Sequence, residues 1–126
     1  MYSKKLRDHF MNPRNAGKMA DADAVGKVGD PETGNVAHFY LKVENGVVVE
    51  VTFQTFGCGA AIAASSAATE LAKGKTLREV LALTSADVER ALDGVPDSKR
   101  HCPELAVKAL HAAAENYLRA SRELAP

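Results

Sequence analysis

Cys58 stands in Gly57-Cys58-Gly59, and Cys102 stands in His101-Cys102-Pro103. Flanking glycines let the backbone turn sharply and leave the Cys58 thiol little shielded. That position reads as a strand-to-helix junction, where free N–H groups and the helix dipole favour thiolate. Pro belongs in the first turn of a helix, so Cys102 reads as the N-cap of another helix. Two thiols at helix N-termini, with the His101 imidazole beside one, make three soft or borderline ligands. Such a set suits zinc or iron–sulfur chemistry. Taken singly, each cysteine is more simply a small buried apolar residue, and a His-Cys pair without C-x-x-C is a weak metal motif. The remaining histidines read as structural: His9 on a surface helix, His38 on the wet face of a sheet, His111 on a polar helix stripe. Ser65-Ser66 falls in an Ala-rich helix and need not be catalytic.

The elements that must position these residues follow from patterning. Residues 2–11 predict a short helix capped by Ser3, with Tyr2, Leu6 and Phe10 on one face, ended by Asn12-Pro13. Residues 13–35 read as a long loop with a strand at Val25–Val28. Val36–Val43 and Val48–Phe56 predict a hairpin. A two-residue Asn45-Gly46 turn would mix polar and apolar side chains on each face. A three-residue Asn45-Gly46-Val47 loop instead pairs Phe39 with Phe53, Leu41 with Val51 and Val43 with Val49. It places Lys42–Glu50, Tyr40–Thr52 and His38–Gln54 on a wet face. The rest is helical: Gly59–Lys73 closed by Gly74, starts at Thr76–Glu79 and Thr84–Asp87, a break at Asp93-Gly94 and Pro96, then Pro103–Leu124. That last helix carries a polar stripe of Glu104, Lys108, His111, Glu115, Arg119 and Arg122. Ala106, Leu110, Ala113, Tyr117 and Leu124 lie opposite. Strands first and helices after give an α+β class, with a small antiparallel sheet covered by helices on one face.

Composition bounds the function. The chain has 126 residues, 16 Lys+Arg against 16 Asp+Glu, and two Cys. That length fits one domain over 1–126, large enough for a core without disulfides. Zero net charge gives no reason to expect nucleic acid or an anionic membrane as partner. There is no run of about 18 apolar residues and no secretory h-region in MYSKKLRDHF. A reducing, cytoplasmic setting is expected, in which two cysteines are thiols or ligands more than a structural bridge.

The segments DHFMNPRNAG (8–17), FQTFGCGAAIAASSA (53–67) and KRHCPELAVKAL (99–110) resemble the IscU/NifU-type iron–sulfur cluster assembly scaffold. The resemblance runs from about Ser3 to about Ala120, in order and spacing. It implies an α+β fold with a small antiparallel sheet. It also implies a non-enzymatic role: sulfur taken from a cysteine desulfurase, a transient [2Fe–2S] cluster built from iron on the ligands, and transfer to apo iron–sulfur proteins. Zn can occupy the same ligands. Mapped onto this chain, the family's Gly-Cys-Gly ligand is Cys58 and its His-Cys pair is His101 and Cys102.

The site transfers only in part. The family's Cys-Gly-Asp loop motif falls on Thr33-Gly34-Asn35, so one ligand Cys is Thr and the Asp is Asn. A neutral hydroxyl is a poor partner for iron or zinc beside a thiolate. Asp30, Glu32, water, an exogenous thiol or a second protomer can supply the missing donor, so a homo-oligomer is part of the expectation. The Asp helps cluster lability in the family, so Asn35 is expected to slow release. The chaperone-binding loop falls on Val95-Pro96-Asp97-Ser98-Lys99 and keeps only Pro96 and Lys99 of its pattern, which argues against handover by the chaperone pair.

Three functions compete. A scaffold binds cargo at Cys58, His101 and Cys102, with Asn35 and Lys99 around them. A degenerate, regulatory member docks the desulfurase but assembles no cluster. A Cys–His hydrolase or transferase uses Cys58 or Cys102 with His101 as base, but adjacent residues rarely point at each other and no oxyanion-hole sequence is evident.

Overall fold

Asn-Gly holds left-handed backbone at both residues, as a tight hairpin turn requires. In the computed structural model, which describes residues 2–124, φ is 52° at Asn45 and 77° at Gly46. They join β2 (Val36–Glu44) to β3 (Val47–Phe56) in a two-residue turn. The expected three-residue loop and Val43–Val49 pair are therefore corrected: Val43 lies opposite Val48. Val49 is an extra residue, because the next pair is Lys42 with Glu50. A one-residue bulge thus satisfies both the turn chemistry and the segregation of side chains. Beyond it the expected pairs hold, from Leu41–Val51 through Phe39–Phe53 to His38–Gln54.

The expected strand at Val25–Val28 is the centre of β1 (Ala24–Gly29), antiparallel to β2 in a sheet ordered β1-β2-β3. Phe39, Leu41, Val51 and Phe53 point into the core, where Ala60, Ala63, Ala64, Ala67 and Ala68 of α2 (Gly59–Ala72) are also buried. Small side chains let that helix lie close to the sheet. The other long helix, α5 (His101–Leu124), packs on β1 and β2. It comes so near that a Cβ on Gly26 would stand 2.3 Å from the Ala109 carbonyl oxygen and 2.4 Å from the Ala113 nitrogen. Both are backbone atoms, so only glycine fits.

The outer sheet face is less wet than expected. Tyr40 is only 3% exposed, and its hydroxyl donates to Gln54 Oε1 at 2.8 Å. Residues 15–17 also turn back along the open edge of β3. Phe53 N–H donates to Asn15 O at 3.0 Å, and Gly17 N–H donates to Phe53 O at 2.8 Å. Those bonds blunt an edge that would otherwise be free to pair with another chain.

The helix α1 (Lys4–Met11) starts at Ser3, whose hydroxyl accepts from Leu6 N–H and donates to the Leu92 carbonyl. Its buried face is Leu6 and His9, which corrects two expectations. Phe10 is 44% exposed, and His9 is buried against α2. His9 Nδ1 lies 2.8 Å from Ser66 Oγ, and Nε2 lies 3.4 Å from Glu70 Oε1. Apolar periodicity missed this because the buried partner on α2 is polar. Burial, aided by the Arg14 charge, holds the His9 pKa below 6.5 against the opposing pull of Glu70 and Asp8. The folded state therefore binds fewer protons than the unfolded chain below that value. Stability is expected to fall as the pH drops through the unfolded pKa toward the folded one. Thermal melts between about pH 7 and about pH 5 check this, with a shallower dependence expected for His9→Gln.

Both expected Thr starts are reciprocal capping boxes. Thr76 and Glu79 open α3 (Leu77–Ala82), and Thr84 and Asp87 open α4 (Ser85–Ala91). His111 is not on a solvated stripe: it is half-buried, with Nε2 3.1 Å from the Val80 carbonyl on α3. The expected stripe positions Glu104, Lys108, Glu115 and Arg119 are exposed; the side chains of Arg122 and Leu124 lie outside the described residues. Among the described residues, no helix is long and apolar enough to cross a membrane.

Candidate metal centre

The β3 strand ends at Phe56, and Cys58 is the N-cap of α2, as the glycine pair predicts. Each glycine answers a close neighbour. A Cβ on Gly57 would stand 2.4 Å from Asn35 Oδ1, and one on Gly59 would stand 3.1 Å from the Phe10 ring. The Asn35 side chain is buried and has little room to withdraw. Gly57→Ala is therefore expected to cost about 1–3 kcal/mol of stability, read from the midpoint of urea unfolding.

Cys102 is not the N-cap of its helix. A 3-10 turn at Asp97–Lys99 runs through Arg100 directly into α5, which starts at His101. Cys102 and Pro103 fall in the first turn, where a missing proline N–H costs nothing. This still brings the first turn of α5 to the start of α2, and Cys58 Sγ and Cys102 Sγ lie 3.7 Å apart. Both are free thiols; Cys58 is half-buried and Cys102 is 1% exposed.

The two thiols differ in acidity. Burial raises the Cys58 pKa, but the Ala61 and Ala60 N–H groups, the Cys102 thiol and the Lys99 charge outweigh it. The net shift is downward. Cys102 is pushed up to about 12, first by burial, then by the charge on Cys58 and the hydrogen bond to it. The outer sulfur, Cys58, therefore ionises before the buried Cys102.

His101 is half-exposed. It lines a cavity of about 260 Å³ with Asp30, Glu32, Glu104 and Lys108. Among the described residues, no three His, Cys, Asp or Glu side chains converge on a metal position. The structure therefore joins the two cysteines but does not bring His101 or Asp30 into one cluster with them. Glu104 and Lys108 read from sequence as a solvated stripe; only the fold of the 30–35 loop places them at this cavity.

Thr33 is exposed, and its hydroxyl is engaged: it donates to Asp30 Oδ2 at 3.0 Å and accepts from Asn35 N–H at 3.2 Å. That donation, with the Glu32 N–H, lowers the Asp30 pKa. Asn35 is 6% exposed, and its Nδ2 has no partner among the described residues. An unpaired buried donor beside Gly57 is costly. Lys99, in the 3-10 turn, is near enough to favour thiolate on both cysteines. Val95 packs against the core, and Pro96 precedes that turn. The sequence put Phe10 on an apolar face and did not mark Met11 or Phe56 as exposed; in the fold all three are exposed (Phe56 58%), and Phe10 and Phe56 flank the Cys58 loop.

The family model described as the NifU-like N terminal domain matches residues 1–123. This chain belongs to that family. Among curated relatives, it is 53% identical over 119 residues to "Iron-sulfur cluster assembly scaffold protein IscU 1" of Archaeoglobus fulgidus, covering 94% of this chain and 78% of that protein. It is 47% identical over 119 residues to "Iron-sulfur cluster assembly scaffold protein IscU" of Aquifex aeolicus, covering 93% and 76%. A crystal structure of a nitrogen-fixing NifU-like protein (N-terminal) from Brucella abortus superposes with a TM-score of 0.74 at 22% identity, over 98% of this chain and 95% of that one. That likeness establishes the NifU-like fold, with its three-stranded antiparallel sheet and helical layer.

Proposed function

We propose that this NifU-like chain is an iron–sulfur cluster assembly scaffold, not an enzyme, and that Cys58 and Cys102 are the thiol ligands of its cargo. The observation that carries the reading is the 3.7 Å approach of two thiols from two helix N-termini. It is supported by family membership and by relatives that bear the scaffold name. Cys58 is the more accessible and more readily ionised sulfur, and takes iron or sulfur first. Cys102 loses its proton on ligation, because a bound cation offsets the cost of a buried thiolate. His101 completes a three-ligand set by turning from its cavity toward the sulfurs. Asp30 or Glu32, on the same cavity wall, supplies the oxygen that Thr33 cannot.

The cargo is an iron–sulfur cluster, of [2Fe–2S] type on so few ligands, with Zn as a competitor for the same atoms. Partners are a cysteine desulfurase that supplies sulfur and apo iron–sulfur proteins that receive the cluster, in the cytoplasm. The apolar surface of Phe10, Met11 and Phe56 supports protein docking beside Cys58.

Anaerobic incubation with ferrous iron, sulfide and desulfurase tests this. Equal iron and acid-labile sulfide on the protein, with a visible charge-transfer band, is the expected result. Desulfurase binding with no cluster would replace the scaffold by the regulatory reading.

A further inference from the structure

The chain contains two cysteines and no third, and the fold sets them as an outer and an inner sulfur. Cys58 is reachable from solvent, while Cys102 is sealed and only 3.7 Å behind it. Cys58 is thus the sulfur an incoming group can reach, with Cys102 next to it. That is the arrangement of an attacking and a resolving thiol, and metal ligation does not require the two ligands to differ in access.

We propose that this pair is a dithiol reductant of sulfane sulfur: it converts the outer sulfur of a persulfide to sulfide and ends as a Cys58–Cys102 disulfide. This adds an activity to the scaffold role and stands on the thiol geometry alone. In the first step the Cys58 thiolate attacks the terminal sulfur of a persulfide, R–S–SH. The S–S bond breaks, RS⁻ leaves, and Cys58–S–SH forms. In the second step the Cys102 sulfur attacks Cys58 Sγ. The bond from Cys58 to the outer sulfur breaks, and that sulfur leaves as hydrosulfide with the electron pair and takes up the proton released by Cys102. The sulfane sulfur gains two electrons, and each cysteine sulfur gives one. A low-molecular-weight dithiol then reduces the disulfide and resets the pair.

The second step needs Cys102 within bond-forming reach of Cys58 Sγ, and no other thiol in the chain can substitute. Because the reaction consumes both candidate ligands, a chain that has released sulfide cannot hold metal until it is reduced.

The test uses the full-length, metal-free, reduced protein and glutathione persulfide, with a protein-free control. The expected result is one sulfide per chain above control, loss of both free thiols, and a peptide map joining Cys58 to Cys102. Cys102→Ala is expected to keep the extra sulfur on Cys58 and release no sulfide above control. Sulfide release by Cys102→Ala equal to wild type would overturn the proposal, and so would a wild-type chain that retains the persulfide indefinitely. Should Cys102→Ala fail to fold, the wild-type peptide map decides. No iron is present, so failure here leaves cluster loading to its own assay.

Discussion

Cys58→Ala is expected to abolish iron and sulfide loading entirely while leaving the fold in place. The two consequences separate because Cys58 contributes little to stability. Its side chain makes no capping hydrogen bond to α2, and it is only half-buried. Exchanging it for another small residue should cost about 1 kcal/mol or less. What disappears is the more acidic and more accessible of the two sulfurs. The remaining sulfur, Cys102, keeps its proton to a pKa of about 12, first because it is buried. The Cys58 charge contributes to that rise and is absent from the variant, so the residual thiol is easier to ionise. It is still sealed from iron in solution. Iron and acid-labile sulfide per chain, alongside a circular dichroism melt, measure both parts. A folded variant that loads as much cluster as wild type would place the cargo elsewhere on the molecule.

Thr33→Cys should act in the opposite sense, raising the persistence of bound cluster at least about tenfold. Thr33 cannot ligate as it stands. Its oxygen is a poor donor to soft iron, and its hydroxyl already joins Asp30 to the Asn35 backbone. A thiol there bonds weakly to both neighbours, is exposed, and is free to turn toward the cluster. The substitution also removes the largest influence holding the Asp30 carboxyl below its ordinary range. The measurement is the rate at which a chelator bleaches the reconstituted cluster. An unchanged rate would mean that the 30–35 loop never approaches the cargo.

How much of this was legible in the sequence varies residue by residue, for physical reasons. Local rules were enough where both partners are close in sequence. Thr76 with Glu79 and Thr84 with Asp87 close as reciprocal caps. The hairpin faces were right because a slip would bury Lys42 and expose Leu41. The same reasoning overlooked the bulge at Val49, since segregation by face does not say where the extra residue goes. His9 and His111 were misplaced because a helix pattern shows which residues share a face, not which element covers it. Ser66 and Glu70 cover the first, and the Val80 carbonyl meets the second. Cys58 was legible because its glycines are needed within two residues of it. The cavity that His101 lines was not, because its wall is also formed by Asp30 and Glu32, about seventy residues away in the chain.

The contact of Gly26 with α5 works as a fixed stop. Ala109 lies two turns along the helix from Cys102, about 10 Å at 1.5 Å per residue. The carbonyl of Ala109 abuts a strand position with no side chain to yield, so α5 cannot slide along β1 without a backbone clash. The gap between the two sulfurs is therefore gauged far from either of them. A methyl group added at Gly26 would act like a shim under one end of a lever. It would change no ligand residue, yet would force the α5 backbone off β1 and with it the spacing of the thiols.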